Sequence, residues 1–308
     1  LRTILSNIKF CKSDITAFNP DAIIYIDYPG FNMRIAKWAK NERYHNHYYI
    51  SPQIWAWKEN RIKEIRRDVD KMYVILPFEK EFFEGKHQFK VEFVGHPLID
   101  AIKERALLDK DQFYRQNDLD GRPVIALLPG SRKQEISKML SVMLSVVSDF
   151  PEYQFVIAGA PGQDGQFYQQ FIKNSSVHLI ENKTYELLSI ATAALVTSGT
   201  ATLETALFKV PEVVCYKGSW FSYQIAKRII TLKYISLVNL VMDAPIVAEL
   251  IQDDFNPGRL KEELMKILKT DNRIRLLQHY DQLEQKLGGA GASRKTAKLI
   301  VKFSSERK

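Results

Sequence analysis

Two strand-to-loop junctions and one acid carry the chemistry that this sequence can do. In Val124–Glu135, VIALLPGSRKQE, an apolar run stops at a Pro-Gly and is followed by Ser131, Arg132 and Lys133. The next residues fit a helix, with Ile136, Leu140, Met143, Leu144 and Val147 on one face and Glu135, Lys138, Ser141 and Ser145 on the other. Unpaired N–H groups and the positive end of the dipole at a helix N-terminus attract an anion, and Arg132 adds a planar donor fork suited to phosphate. Gly130, Ser131 and Arg132 are therefore a candidate phosphate seat, although a plain turn with a solvated Arg uses the same residue types. The second junction is Thr197–Glu204, TSGTATLE. Ser198 and Thr200 are N-cap types, Gly199 permits close approach of backbone to a ligand, and Glu204 falls one turn in on the face of Thr200. A carboxylate there can accept two ribose hydroxyl hydrogens; a capping box with Glu204 turned back to the cap is the structural alternative. The pair of junctions reads as a nucleotide diphosphate cleft. The acid is Asp27, which ends the apolar run Ala22–Ile26 where open parallel sheets place their ligands, and which equally suits the start of a Pro-Gly turn.

The elements that must position these residues alternate strand and helix along the chain. A first helix carries Ile4, Ile8, Cys11 and Ile15 on one face. Strands follow at Ala22–Ile26, His47–Ile50, Met72–Leu76 and Val91–Val94, with helices at Met33–Lys40, Asn60–Arg67 and Phe78–Phe83 between them. Leu98–Gly121 is charged, helical in pattern and suited to a linker. Further strands are expected at Val124–Leu128, Phe155–Ala158, Val177–Ile180, Ala194–Val196 and Val213–Tyr216, then helices at Pro257–Leu268, Asn272–Leu287 and Ser293–Phe303, the last after a flexible Gly288–Gly291 break. Parallel strands need helical crossovers, so the fold class is α/β with two doubly wound parallel sheets. Trp55 and Trp57 sit in a loop, where large aromatics either cap the core or form a face for acyl chains. Trp220–Leu240 mixes aromatics with Lys227, Arg228 and Lys233, and Lys217 just precedes it, as a lipid-facing segment or a core helix with snorkelling lysines would.

The 308 residues suffice for two domains, and 45% hydrophobic content supplies a core to each. Cys11 and Cys215 are the only cysteines, so neither a disulfide framework nor a zinc site is expected. A net charge of +8 points to an anionic partner, with phosphorylated small molecules, nucleic acid and acidic membranes competing for that place. No apolar run reaches bilayer-spanning length and no signal-peptide pattern opens the chain, which suggests a cytoplasmic protein, free or surface-bound. The basic residues are spread along helices without a recognition motif, and this ranks nucleic acid last.

SPQIWAWK, LPFEKEFF, FVGHPLID, LLPGSRKQEI, TSGTATLE, PEVVCYK and YISLVNL occur in that order. Together they resemble the lipid-A-disaccharide synthase family, inverting glycosyltransferases of GT-B architecture. The resemblance implies two Rossmann-like domains facing a cleft: residues 1–97 on the acceptor side, a linker at 98–121, a UDP-sugar-binding domain at 122–287, and a C-terminal helix at 288–308 returning to the first domain. It implies transfer from UDP-2,3-diacylglucosamine to 2,3-diacylglucosamine 1-phosphate, giving lipid A disaccharide 1-phosphate and UDP. Asp27 matches the family's general base, Arg132 a residue tied to the donor diphosphate, and Ser198, Gly199, Thr200 and Glu204 the nucleotide turn and helix. Gly30 stands where many relatives have a second Asp, leaving Asp27 as the acid of that motif. The family's opening strand and Gly-Glu-x-Ser-Gly-Asp loop are not found, so an incomplete first domain is expected.

The implied mechanism is a single displacement in which Asp27 takes the proton of the acceptor 6-hydroxyl and Arg132 meets the charge developing on UDP. No Asp-x-Asp pair accompanies the diphosphate loops, so neither a metal nor another cofactor is expected. His96, Trp55, Trp57, Trp220 and Asn239 are candidate substrate or membrane contacts. The expected partners are the two acylated sugars and the anionic cytoplasmic face of the bacterial inner membrane, with a homodimer left open. Two other readings share these features: a UDP-N-acetylglucosamine 2-epimerase or other UDP-sugar enzyme of the same fold, and a non-catalytic UDP-sugar- or lipid-binding remnant.

Overall fold

A computed structural model describes residues 2–172, 176–218 and 233–306. Trp220, Lys227 and Arg228, in the expected lipid-facing segment, lie outside them. Two units emerge, each with its own parallel sheet. In the first, β1 (Ala22–Ile26), β2 (His45–Tyr49), β3 (Lys71–Val74) and β4 (Glu92–Phe93) run in the order β1-β2-β3-β4. The second holds β5 (Val124–Leu128), β6 (Gln154–Gly159), β7 (Val177–Glu181), β8 (Ala191–Thr197), β9 (Glu212–Tyr216) and β10 (Ala248–Ile251), in the order β10-β9-β8-β5-β6-β7. That order reverses between β5 and β8, the place where doubly wound sheets bind nucleotides. The short β10 has no counterpart in the sequence reading, because Ala-Glu-Leu-Ile is too brief and too polar to announce a strand.

Helices cover these sheets through the faces that the sequence marks, with instructive shifts. The helix Lys133–Met143 buries Ile136, Met139, Leu140 and Met143, and a 3-10 stretch, Leu144–Asp149, follows it. The tighter winding of that stretch brings Val146 inward where an α-helix would have buried Val147. Pro29 and Gly30 do not make a turn; they open the helix Pro29–Asn41, since the fixed φ of proline suits a first helical turn and its missing N–H costs nothing there. Residues 110–119 are not a free connector either. Phe113 and Leu119 pack into the core beneath β5 and β8, so this stretch belongs to the second unit.

Strand β2, His-Asn-His-Tyr-Tyr, is strongly polar for a parallel sheet, and hydrogen bonds meet the Asn46 amide and one nitrogen of His47. Asn46 donates to Ala36 O and Asp68 O at 2.8 Å each and accepts from Tyr25 Oη at 3.0 Å. His47 Nδ1 lies 2.9 Å from Tyr73 Oη, with the two rings stacked. Burying such groups unpaired would cost a few kcal/mol each, on the order of 1–3.

Residues 286–306 pack in the first unit. Gly288–Gly291 is firmly seated instead of forming a flexible break: His96 N donates to Leu287 O at 3.0 Å, and Asp100 accepts from Gly291 N and Ser293 N at the start of the helix Ala292–Ser305. Lys295 Nζ donates to Phe93 O at 2.7 Å, and the Phe303 ring meets His47 edge-on at 5.1 Å. Gly288 has φ +90°, and a Cβ there would stand 3.1 Å from Gly95 Cα. Gly288→Ala should therefore lower unfolding stability by roughly 1–3 kcal/mol in urea titrations; an unchanged midpoint would refute this close backbone crossing.

Candidate functional site

The Pro129–Lys133 loop leaves β5 and the Ser198–Thr200 turn leaves the neighbouring β8, so the two junctions share one cavity of about 550 Å³. Gly130, Ser131, Arg132, Ser198, Gly199, Thr200 and Glu204 all line it. Gly130 adopts φ +102°, and a Cβ there would overlap the Glu135 carboxylate. Ser131 N donates to Glu135 Oε2 at 3.0 Å, and Gln163 Nε2 donates to Ser131 O at 2.9 Å. Glu135, expected on the solvent side of the helix, is thus turned back into the loop as an internal acceptor for the helix N-terminus. Arg132 is exposed and forms no ion pair with a described residue, so its guanidinium is available to a ligand.

The second junction departs from the expected caps. Gly199 is the N-cap residue and Thr200 the first residue of the helix Thr200–Leu207, while Ser198 Oγ donates to Ile235 O at 2.9 Å. No side chain caps this helix, which removes the capping-box alternative for Glu204. Glu204 Oε1 instead accepts from Tyr185 Oη at 2.7 Å. Tyr185 is held well above the ordinary phenol range by burial first, then by its hydrogen bond to Glu204 and that residue's charge. Nothing in the sequence singled out Tyr185, since an aromatic at the start of a helix reads as ordinary core. The arrangement leaves the other Glu204 oxygen for hydroxyl donors and adds a fixed orientation to the carboxylate.

In the first unit, Asp27 stands at the carboxyl end of β1 with its side chain exposed. Asp27 and Tyr28 both have positive φ, +45° and +43°. Two consecutive non-glycine residues in that region cost on the order of 1–3 kcal/mol each unless held in place. The hold is visible: Asn32 Nδ2 donates to Asp27 O at 2.7 Å and Ile26 O at 3.1 Å, and Tyr48 Oη donates to Asp27 O at 2.7 Å. Burial, followed by the nearby Asp27 charge, raises the Tyr48 phenol.

The remaining candidates divide. Trp55 is half-buried, donates to Glu79 Oε1 at 3.1 Å and meets Phe78 edge-on, as core packing predicts. Trp57 is 49% exposed, with Lys58 Nζ over its ring at 4.5 Å. Asn239 is buried and its amide is occupied by structure: Oδ1 accepts from Ile246 N and Val247 N, and Nδ2 donates to Val247 O and Glu249 Oε1. A buried carboxylate unmarked by sequence, Glu79, accepts from Ser51 Oγ, Trp55 Nε1, Ile75 N and Leu76 N, tying the SPQIWAWK loop to the end of β3.

Comparison with known proteins places this geometry. The family model described as lipid-A-disaccharide synthetase matches residues 1–303. The chain is 39% identical to the lipid-A-disaccharide synthase of Syntrophus aciditrophicus, over 98% of this chain and 80% of that protein. It is 37% identical to the enzyme of that name from Coxiella burnetii, over 91% of this chain and 75% of that one. Among solved structures, UDP-GlcNAc 2-epimerase from Neisseria meningitidis bound to UDP-GlcNAc superposes with TM-score 0.71 at 15% identity, covering 97% of this chain and 81% of that one. The S. aureus MnaA–UDP structure gives 0.70 at 12%, covering 97% and 80%. At such identities these two show the fold, that of GT-B glycosyltransferases and epimerases.

His96 is 5% exposed, and its Nδ1 accepts from Leu98 N at 3.2 Å at the start of the helix Pro97–Lys103. Burial pushes the imidazole down to about 4. The unfolded chain binds a proton on this group near pH 6.5, whereas the folded chain does so only near pH 4. Stability is therefore full above pH 6.5 and falls as pH drops through that window, by up to about 3 kcal/mol. His96→Gln should flatten this part of the stability profile between pH 6.5 and 4; a slope identical to that of the parent chain would contradict the buried neutral imidazole.

Proposed function

This chain belongs to the lipid-A-disaccharide synthase family, and we propose that its two loop junctions and Asp27 carry out the transfer for which the family is named. It is a glycosyltransferase of lipid A biosynthesis. The family's substrates are a UDP-sugar and an acylated sugar 1-phosphate. In finer detail, the donor is UDP-2,3-diacylglucosamine and the acceptor 2,3-diacylglucosamine 1-phosphate. The observation that carries the site assignment is the shared cavity at the β5/β8 reversal, where Gly130–Arg132 faces Ser198–Thr200 and Glu204.

The donor diphosphate lies against the Gly130–Ser131 backbone and the Arg132 guanidinium, and Glu204, oriented by Tyr185, accepts from the ribose hydroxyls. Asp27 removes the proton of the acceptor 6-hydroxyl as that oxygen attacks the anomeric carbon. The bond from that carbon to the β-phosphate oxygen breaks on the opposite face, inverting the centre and releasing UDP. Arg132 contributes because the leaving oxygen gains charge only as the bond breaks, so a donor fixed beforehand lowers the barrier without reorganising. Asp27 contributes through proton removal, an effect of about 10²–10⁴-fold for a well-placed base. The strained, doubly anchored backbone at Asp27 supports this role, since such conformations cluster at functional sites.

The membrane reading rests on Trp57, half exposed beside Lys58, and on acylated substrates that reside in a bilayer. The protein then works as a peripheral enzyme on the cytoplasmic leaflet; among the described residues, no helix is long and apolar enough to cross a membrane. The likeness to 2-epimerases is one of fold, and no feature of the cleft favours that chemistry over transfer.

Two outcomes are expected. Arg132→Ala should lower kcat by about 10²–10³-fold, or roughly 3–4 kcal/mol, in an assay following labelled acceptor into disaccharide. Asp27→Asn should lower turnover comparably while UDP affinity, measured by calorimetry, stays unchanged. Disaccharide formation at the parent rate in Asp27→Asn would remove the general-base assignment.

A further inference from the structure

Beside the donor cleft, within the same unit, lies a second recess of about 380 Å³ whose lysines the transfer chemistry above does not use. It is lined by Arg132, Lys133, Lys138 and Lys217, with Glu135 the sole carboxylate among its lining residues and Thr197 contributing from the end of β8. The charge contrast with its neighbour is large. The donor cleft has Arg132 as its one cation, together with the carboxylates Glu135 and Glu204. Most of the positive charge at this sheet edge therefore stands in the recess, away from the nucleotide turn.

Two further features mark the recess as a seat for an anion. Lys133, Lys138 and Lys217 form no ion pair with a described residue, although Lys133 lies over the Phe167 ring at 5.4 Å. Thr197, which stands between the recess and the donor cleft and lines both, is only 4% exposed, and its hydroxyl has no hydrogen-bond partner among the described residues. A buried hydroxyl without a partner costs about 1–3 kcal/mol, a deficit that a bound oxyanion would remove.

We propose that the recess formed by Arg132, Lys133, Lys138, Lys217 and Thr197 binds a phosphate monoester, the 1-phosphate of the acceptor, beside the donor diphosphate. This rests on the transferase reading given above. A monoester carries about −1.5 to −2 charges at neutral pH and three terminal oxygens, which suits several ammonium groups and a hydroxyl donor. Arg132 lines both cavities, so one guanidinium stands between two anions and offsets their repulsion. Acceptor selection follows from this charge: a sugar without the phosphate leaves the lysines and the Thr197 hydroxyl unmatched.

The test uses glucosamine 1-phosphate, titrated calorimetrically into the chain at saturating UDP, with glucosamine as the uncharged control. The parent chain should bind the phosphate ester alongside UDP, and Lys138→Ala/Lys217→Ala should weaken that binding at least tenfold while UDP affinity and melting temperature hold. Displacement of the ester by UDP, or an unchanged affinity in the double variant, would overturn the proposal. Co-sedimentation with phosphatidylglycerol vesicles separates the other source of phosphate. Vesicle binding should survive the substitutions, and its loss with ester binding intact would assign the recess to lipid headgroups. In the transfer assay, the double variant should raise KM for the phosphorylated acceptor and not for its dephosphorylated counterpart. A chain that binds the ester beside UDP yet transfers no sugar would refute the transferase reading and leave the recess standing; transfer with an unaltered acceptor KM in the double variant would do the reverse.

Discussion

The pairing of β5 with β8 is the constraint on which the proposed donor site depends. All five β5 residues are buried, and the register Ile125–Ala193 through Leu128–Val196 holds the two strands side by side at the centre of a six-stranded sheet. Neighbouring strands in a sheet are about 4.8 Å apart, so their loops emerge at that spacing whatever their sequences. Gly130 and Ser198 inherit their proximity from a core that has no part in the chemistry. Crossovers leave β5 on one side and β8 on the other, so the space above the pair stays open for a ligand.

The first unit solves a different problem, that of holding one acid in an unfavourable conformation. Its sheet contains a polar strand, and much of its hydrogen bonding is devoted to satisfying buried side chains such as Asn46, His47 and Glu79. Tyr48 comes from that same strand and anchors the carbonyl of Asp27. The polarity that makes β2 a poor strand by composition is therefore linked to the geometry of the acid beside it. An apolar β2 would pack well but leave the Asp27 carbonyl to Asn32 alone.

Much of this was legible in the residues themselves. Apolar runs ending in Pro-Gly-Ser-Arg and Thr-Ser-Gly-Thr locate both strand-end loops that line the cavity, because burial and turn chemistry are local properties. The paired cavity needed the strand order, which no local pattern contains. Side-chain direction was the weaker inference. Helical spacing placed Glu135 toward solvent and residue type placed Ser198 at a cap, while the structure turns one into its loop and ties the other to Ile235. Asn239 was a candidate substrate or membrane contact, yet its amide closes a backbone loop that ends in a strand too short to recognise. Tyr185 and Glu79 were invisible because their partners are remote in sequence or buried.

The seating of the last helix bears on the order in which the chain can be completed during synthesis. The second unit draws on a continuous stretch from residue 104 to 285, apart from the undescribed residues, whereas Asp100 waits for an amide 191 positions later. Elongation at roughly 5–20 residues per second sets a delay of about ten seconds or more between those partners, far longer than the folding time of most small domains. Until then His47 and Gly95 lack the Phe303 and Gly288 packing that covers them in the finished protein. The surfaces of the first unit around His47, Gly95 and Asp100 thus stay uncovered until the helix Ala292–Ser305 has been made.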